Sequence, residues 1–219
     1  MEPRRLHNGP MSLPLLGVVE IAAVGAFAYS GAEVARRHQM DIVGHVSLAI
    51  VNGLAGGMTR DVLIGRPVLA LNDSRLLPTC LVAALIVMLL GTFVPAKVVH
   101  VLDAIGLGLF TVLGTRRALD AGVTEVAAVL LGAVTVGAGS LLRDVLAGDR
   151  PGLLYRSELY LILSAAGATI YVVGTHTRLD ESALLLGVAA LVTVARVSAL
   201  QLRWNSPVPG TRVRSTNRE

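Results

Sequence analysis

Two short charged motifs interrupt the long apolar runs of the sequence. Each is an arginine followed directly by an aspartate, in GMTRDVLIG at 57–65 and in SLLRDVLAG at 140–148. An arginine keeps its charge at every accessible pH, so beside an ion pathway it repels cations unless a carboxylate neutralises it. A gate, a structural clamp and an ordinary charge at the membrane border are all compatible with these doublets, which are Arg60-Asp61 and Arg143-Asp144.

Two further carboxylates lie inside apolar segments. Glu20 falls within the first apolar run and Asp103 within the fourth. A charged side chain at the centre of a membrane helix costs about 2.5–3.5 kcal/mol on insertion scales, so such residues usually have a function or a partner. Attraction of cations into a water-filled cavity explains both residues. A position at the membrane interface, or an ion pair with Arg60 or Arg143, explains them as well.

Glycines cluster in the second and fifth apolar segments, just before the two doublets. Because glycine lacks a Cβ, it permits a kinked or unwound helix, and it also lets two helices pack closely. Irregular backbone at membrane depth requires a protein or water neighbour, so an unwound turn here would line a polar cavity. Both interpretations stay open for these glycines, which are Gly53, Gly56, Gly57, Gly137 and Gly139.

The elements that must position these residues are membrane helices. Apolar residues make up 53% of the 219 positions and charged residues only 16%, whereas a soluble domain carries about 25% charge. A spanning helix needs about 20 mostly apolar residues. Seven segments qualify, at 13–33, 41–59, 76–95, 98–115, 124–142, 158–176 and 181–202. The sequence predicts an all-α membrane protein with one transmembrane domain over 1–203 and a polar tail at 204–219.

The first six helices form an internal repeat. A shift of 83 residues aligns 25–65 with 108–148 without a gap, and 15 of these 41 pairs are identical, including Phe27 with Phe110. Repeat one covers about 13–95 and repeat two about 98–176, which leaves a seventh helix at 181–202. Because each repeat has three helices, the second copy enters the membrane from the opposite side. Folds with such inverted repeats place their site near the midplane, where the copies meet.

The basic residues are almost evenly divided between the two membrane sides, with 8 on the side of the N-terminus and 10 on the other. This small bias predicts an N-terminus outside and a C-terminus in the cytoplasm.

Because the arginines lie between apolar runs, they indicate contact with membrane lipid and not with nucleic acid. Nucleophile, nucleotide and metal-ligand motifs are absent, and Cys80 is the single cysteine. We therefore expect no enzyme activity, no cofactor and no metal site.

The two doublet motifs carry a specific resemblance. GLAGGMTRDVLIGRP and VGAGSLLRDVLAGDRP resemble the paired glycine-rich motifs of the trimeric intracellular cation (TRIC) channels of prokaryotes. FAYSGAEVARRHQMDIVG and LDAIGLGLFTVLGTRRALDAG match the first and fourth helices of that family, and ELY at 158–160 matches the start of the sixth. The resemblance covers about residues 15–200. It implies a seven-helix protomer and a homotrimer with a pore in each protomer. It also implies that helices two and five are kinked at the glycines. The permeating ions would be the monovalent cations potassium and, less selectively, sodium.

The sequence departs from the family pattern in two places. The family often has three consecutive glycines, whereas this chain has Ala-Gly-Gly at 55–57 and Ala-Gly-Ser at 138–140, which indicates a gentler kink. The Lys-Glu-Val motif of the animal branch is absent, so lipid gating is not carried over. Some bacterial relatives with this domain have been considered carriers of glycine, and a secondary transporter of a small zwitterion is the alternative function.

Overall fold

The computed structural model describes residues 13–154, 159–202 and 204, and the regular elements within these ranges are helical. Arg4 and Arg5, which belong to the count of basic residues, Glu158 and the tail beyond 204 lie outside the described residues. The helices are α1 (Leu13–Arg37), α2 (Ile42–Leu63), α3 (Leu69–Asn72), α4 (Leu76–Leu90), α5 (Ala96–Asp120), α6 (Glu125–Ala147), α7 (Tyr160–Gly174) and α8 (Glu181–Leu202), with a 3₁₀ turn at Gly91–Phe93.

Each of the seven predicted spans corresponds to a helix, which confirms the all-α membrane class. Five helices (α1, α2, α5, α6 and α8) are long and apolar enough to cross a bilayer, and α4 and α7 are shorter apolar helices of 15 residues each. Helices α1, α2, α5 and α6 end about one turn later than the apolar runs predict. Charged residues lower the local hydropathy there, but they do not break the helix. The short helix α3 was not predicted.

Helices α1 and α5 pack against each other with opposite chain directions. Glu20 near the start of α1 contacts Arg117 near the end of α5, with Oε1 and Nη1 3.6 Å apart. At the other end of the pair, Ser30 Oγ donates to Asp103 Oδ1 at 3.1 Å. These two helices are equivalent elements of the two repeats. Their antiparallel contact confirms the inverted arrangement that the three-helix repeat predicts.

Helices α2 and α6, the other equivalent pair, cross at their glycines. A Cβ placed on Gly56 would overlap the carbonyl oxygen of Thr135, and one on Gly139 would lie 2.7 Å from the carbonyl oxygen of Asn52. The crossing is symmetric, because Asn52 and Thr135 are themselves repeat partners. Both helices are continuous through this region, so the unwound turn that the glycines allowed is not present. The glycines at the crossing serve close packing of the two repeats.

A glycine with positive φ ends each of these two crossing helices. Gly65 has φ 64° and Gly148 has φ 77°, in the left-handed region that favours glycine. The chain then turns back, because the backbone N–H of Arg66 donates to the carbonyl oxygen of Asp61 and that of Asp149 donates to Asp144, at 3.0 and 2.9 Å. These turns return each following loop to the doublet of its own repeat.

Candidate functional site

The doublet of repeat one forms a charged cluster, called the Arg60 cluster, with Glu20 and Arg117. Arg60 donates to Asp61 Oδ1 through Nε at 2.9 Å and through Nη2 at 2.8 Å. Arg117, from α5, lies 3.2 Å from the same oxygen and 3.6 Å from Glu20. The cluster therefore balances two guanidinium groups with two carboxylates. This balance offsets part of the cost of burying these charged groups.

The doublet of repeat two forms the equivalent Arg143 cluster with Asp103 and Ser30. Arg143 donates to Asp144 Oδ1 through Nε at 2.9 Å and through Nη2 at 2.7 Å. Its Nη1 lies 3.3 Å from Ser30 Oγ and 3.8 Å from Asp103 Oδ1. The structure thus joins each intramembrane carboxylate to an arginine of the same cluster. Asp103 is paired with Arg143, but Glu20 is paired with Arg117 and not with Arg60.

The second oxygen of each doublet aspartate holds the loop that follows. Asp61 Oδ2 accepts from the backbone N–H of Leu69 at 2.8 Å, and Asp144 Oδ2 accepts from that of Gly152 at 3.0 Å. Both donors lie eight residues after the aspartate, so the arrangement is the same in the two repeats. Each aspartate joins an arginine on a helix to the backbone of a loop, which is the geometry of a structural clamp.

The two clusters differ in charge and in exposure. The side chains of Arg60 and Asp61 are 2% and 1% exposed, whereas those of Arg143 and Asp103 are 15% and 17% exposed. The Arg143 cluster has one guanidinium for two carboxylates and a formal charge of −1. The difference in charge arises from Arg117, because the equivalent position in the other repeat is occupied by Val34. The Arg60 cluster is therefore formally neutral with a fully buried doublet, and the Arg143 cluster is acidic with a more exposed one.

A cavity inside the helix bundle joins five of the predicted site residues. Three of them are Glu20, Arg60 and Asp61 of the Arg60 cluster, and the other two are the α2 glycines Gly53 and Gly57. Apolar side chains complete the wall, namely Val24, Leu54, Leu69, Ala70, Leu76 and Phe110. The cavity has a volume of about 20 Å³, which is room for about one water molecule. Repeat one thus brings charged groups and glycines together around one small cavity.

Three other polar residues within the membrane helices have local partners. His45 Nδ1 lies 2.9 Å from the carbonyl oxygen of Asp41, and Thr135 Oγ1 donates to that of Leu131 at 2.6 Å. Arg196 lies over the ring of Tyr160 at 4.9 Å from its centroid. Gly137 packs towards Leu161 on α7, where an added Cβ would come within 3.2 Å. Over 13–154 and 159–202, no group of side chains has the composition of a metal site.

Sequence reasoning missed two members of the clusters. Arg117 belongs to the apparent border charges of α5, and the repeat gave no reason to select it because its partner position holds valine. Ser30 is a small polar residue on a largely apolar helix. Helical spacing could have found both residues, since Ser30 lies ten residues after Glu20 on α1 and Arg117 lies fourteen after Asp103 on α5. When the two helices pack antiparallel, this spacing brings Ser30 close to Asp103 and Arg117 close to Glu20.

A surface ion pair in the loop before α4 has a defined pH dependence. Arg75 donates to Asp73 through its side chain at 2.6 Å and through its backbone N–H at 2.9 Å, and these bonds lower the pKa of Asp73 to about 2. A carboxyl with a lowered pKa stabilises the fold above its unfolded pKa of about 3.9, and this contribution is lost as the pH falls through the folded value.

We therefore expect Asp73→Asn to lower the unfolding temperature by the same small amount at pH 7 and pH 5. The difference from the wild type should shrink below pH 4 and vanish near pH 2. Thermal unfolding of both proteins in detergent across this range measures it. A difference that has already disappeared at pH 5 would contradict the low pKa.

Comparisons with known proteins agree with this architecture. The sequence model of a family described as "Glycine transporter" matches the chain twice, over 17–92 and 100–176, which confirms the duplication. The UPF0126 membrane protein YvgT of Bacillus subtilis is 35% identical over 90% of this chain and 96% of its own length. The UPF0126 inner membrane protein YadS of Escherichia coli K12 is 30% identical over 87% and 93%.

Among solved structures, the TRIC trimeric intracellular cation channel orthologue from Rhodobacter sphaeroides is similar with a TM-score of 0.80 and 31% identity. The match covers 86% of this chain and 98% of that one. With its apolar helices and its inner-membrane relatives, this chain is a multi-pass inner-membrane protein. It belongs to the family of the prokaryotic TRIC channels and UPF0126 membrane proteins.

Proposed function

We propose that this protein is a monovalent cation channel with a pore in each protomer of a homotrimer, permeable to potassium and less selectively to sodium. The observation that carries the proposal is the cavity in which Glu20 and the Arg60-Asp61 doublet meet the glycines of α2. It lies within an inverted-repeat fold, and a TRIC cation channel with the same fold is 31% identical to this chain. The proposed pore passes from this cavity, through the centre of the bundle, to the Arg143 cluster.

The charges along this path favour cations over anions. Glu20 and Asp103 lie on opposite sides of the bundle centre, and each concentrates cations at its own end. The arginines are neutralised by carboxylates, so they do not repel a cation as free charges would. The sequence lacks a Thr-Val-Gly-Tyr-Gly filter, which is consistent with weak discrimination between potassium and sodium.

The two doublets are the proposed gate elements. In the described conformation Arg60 and Arg117 both contact Asp61, and the contact between Arg117 and Asp61 joins α5 to α2 beside the cavity. Opening would require this pairing to change. The close crossing of α2 and α6 at Gly56 and Gly139 offers a pivot for such a movement, and a kink of either helix at its glycines stays a prediction.

Removing a doublet arginine should change ion flow without unfolding the protein. We expect Arg143→Ala to raise potassium flux into liposomes severalfold, because Asp103 and Asp144 then face the pathway without a counter-charge. Arg60→Ala should raise the open probability because Asp61 loses one of its two arginine partners and the Arg60 cluster gains a net negative charge. The matched control is Arg150→Ala, since this arginine lies exposed in the loop after α6. Two mutants that both conduct like the wild type would identify the doublets as clamps and not gates.

The channel activity itself is tested in planar bilayers under a potassium chloride gradient. We expect unitary currents with a reversal potential near the potassium value. A reversal potential at the chloride value, or the absence of unitary currents, would contradict a cation channel. Native mass measurement in mild detergent should give three copies of the chain, and a stable monomer would contradict the trimer.

A secondary transporter of a small zwitterion such as glycine is the second candidate. The description of the matching family is the observation that favours it. The Arg60 cluster has both charge signs, which match the carboxylate and the ammonium group of an amino acid, and its cavity of about 20 Å³ would have to widen to admit one. Saturable uptake of labelled glycine into liposomes, without unitary currents, would favour the transporter over the channel.

A further inference from the structure

Phe27 and Phe110 form an aromatic pair at the centre of the helix bundle. Their ring centroids are 5.2 Å apart with an angle of 46° between the planes, and the residues are only 1% and 5% exposed. The ring of Phe27 also occupies the space beside Gly106, where an added Cβ would collide with it. The pair is therefore fixed by close packing between α1 and α5.

The symmetry of the fold places this pair on the repeat axis. Phe27 and Phe110 are identical residues separated by the repeat shift of 83, and they contact each other. Two equivalent positions that touch must lie where the two repeats meet. In a fold with inverted repeats this place is near the midplane of the membrane.

The aromatic pair separates the two charged clusters. Glu20 precedes Phe27 by seven residues on α1, and Asp103 precedes Phe110 by seven on α5. At 1.5 Å per residue, each carboxylate lies about 10 Å along its helix from the pair. Because the helices are antiparallel, the two carboxylates lie on opposite sides of it. Phe110 also lines the cavity of the Arg60 cluster, so the aromatic pair borders that cavity.

We propose that the Phe27–Phe110 pair is the central gate of the pathway, an apolar barrier that keeps water and cations of one cluster from reaching the other. This inference rests on the proposed function and names the element that would close the pore at its midpoint. An apolar constriction of this kind closes by excluding water. A cation can cross it only by losing its hydration, or after the two rings separate.

Asn52 is the positioning residue that would couple this gate to the glycine crossing. Its Nδ2 donates to the carbonyl oxygen of Phe27 at 2.6 Å, and its own carbonyl oxygen contacts Gly139 of α6. Its buried Oδ1 has no hydrogen-bond partner among the described residues. Sliding of α2 against α6 would therefore pull on α1 at the level of Phe27.

The test uses an accessibility readout in addition to ion flux. Cys80 is replaced by alanine, and a cysteine is introduced at Ala70, which lines the cavity. A small cationic thiol reagent is then added to oriented proteoliposomes from the side of the Arg143 cluster. We expect the double substitution, Phe27→Ala with Phe110→Ala, to raise both the labelling of this cysteine and the potassium flux at least tenfold. Phe93→Ala, which removes an exposed ring, should change neither.

A second variant guards against loss of the fold. Phe110→Tyr keeps the ring and adds a hydroxyl group to the cavity wall, and we expect a smaller increase in both readouts. If the folded variants leave labelling and flux unchanged while the wild type conducts, the proposed aromatic gate is contradicted and the proposed channel function is not. If labelling rises but no variant conducts potassium, the aromatic barrier is supported and the proposed channel function is contradicted.

Discussion

Asp61→Ala is expected to destabilise the protein by about 3–5 kcal/mol, because it leaves buried positive charge without its partner. Asp61 is fully buried, and its two oxygens accept from Arg60 and from the backbone N–H of Leu69. Arg117 lies 3.2 Å away and loses one of its two acidic neighbours. One substitution therefore removes a contact between helices and the clamp on a loop.

Two other aspartates provide the controls for this experiment. Asp144→Ala should cost less, because the Arg143 cluster is more exposed and retains Asp103 beside its single arginine. Asp149→Ala should have an effect near zero, since that side chain is 49% exposed and its ion pair with His38 lies at the surface.

The measurement is heating in detergent with a fluorophore that reacts with thiols. Cys80 is the only cysteine and is fully buried, so its reaction reports unfolding. Equal unfolding temperatures for Asp61→Ala and Asp149→Ala would contradict the buried clamp.

Gly56→Ala is expected to destabilise the protein by about 1–3 kcal/mol through overpacking of the helix crossing. The new methyl group would overlap a backbone carbonyl oxygen, that of Thr135, which has no rotamer with which to avoid it. The helices α2 and α6 would have to separate, and with them the two repeats. Gly139→Ala should have a similar effect, because its Cβ would meet the carbonyl oxygen of Asn52 at 2.7 Å.

Gly57→Ala is the matched control, one residue further along the same helix. Its Cβ would make an ordinary contact of 3.7 Å with Arg60 Nη2. Alanine has the higher helix propensity by about 1 kcal/mol, so this substitution should be neutral or stabilising. The same thiol assay measures all three variants. A Gly56→Ala protein that is as stable as Gly57→Ala would rule out the close crossing.

Much of this architecture could be predicted from the sequence because membrane helices and repeats leave strong patterns. Hydropathy located the seven spans, and the repeat identified the two doublets as equivalent. The helix ends were placed too early, since charged residues such as Arg60 and Asp61 continue the helix while ending the apolar run. The bond from Asp61 to Leu69 could not be predicted, because a backbone donor is present at every residue except proline and leaves no pattern.

The glycines show why composition alone could not choose between a kink and close packing. A missing Cβ permits both, and only the neighbour of each glycine decides. Gly56 has the backbone of Thr135 beside it, whereas Gly57 faces the side chain of Arg60 in the cavity. Arg117 was missed for a different reason, because the repeat supports only those residues that both copies retain.

The pairing of Arg117 in one repeat with Val34 in the other has an evolutionary consequence. If the two halves were separate, identical chains in a symmetric dimer, every substitution would appear at both membrane faces. Fusion of the copies into one chain frees each face to mutate independently. An arginine that is present in only one copy then gives the two faces different charges, so the fused chain is no longer symmetric across the membrane.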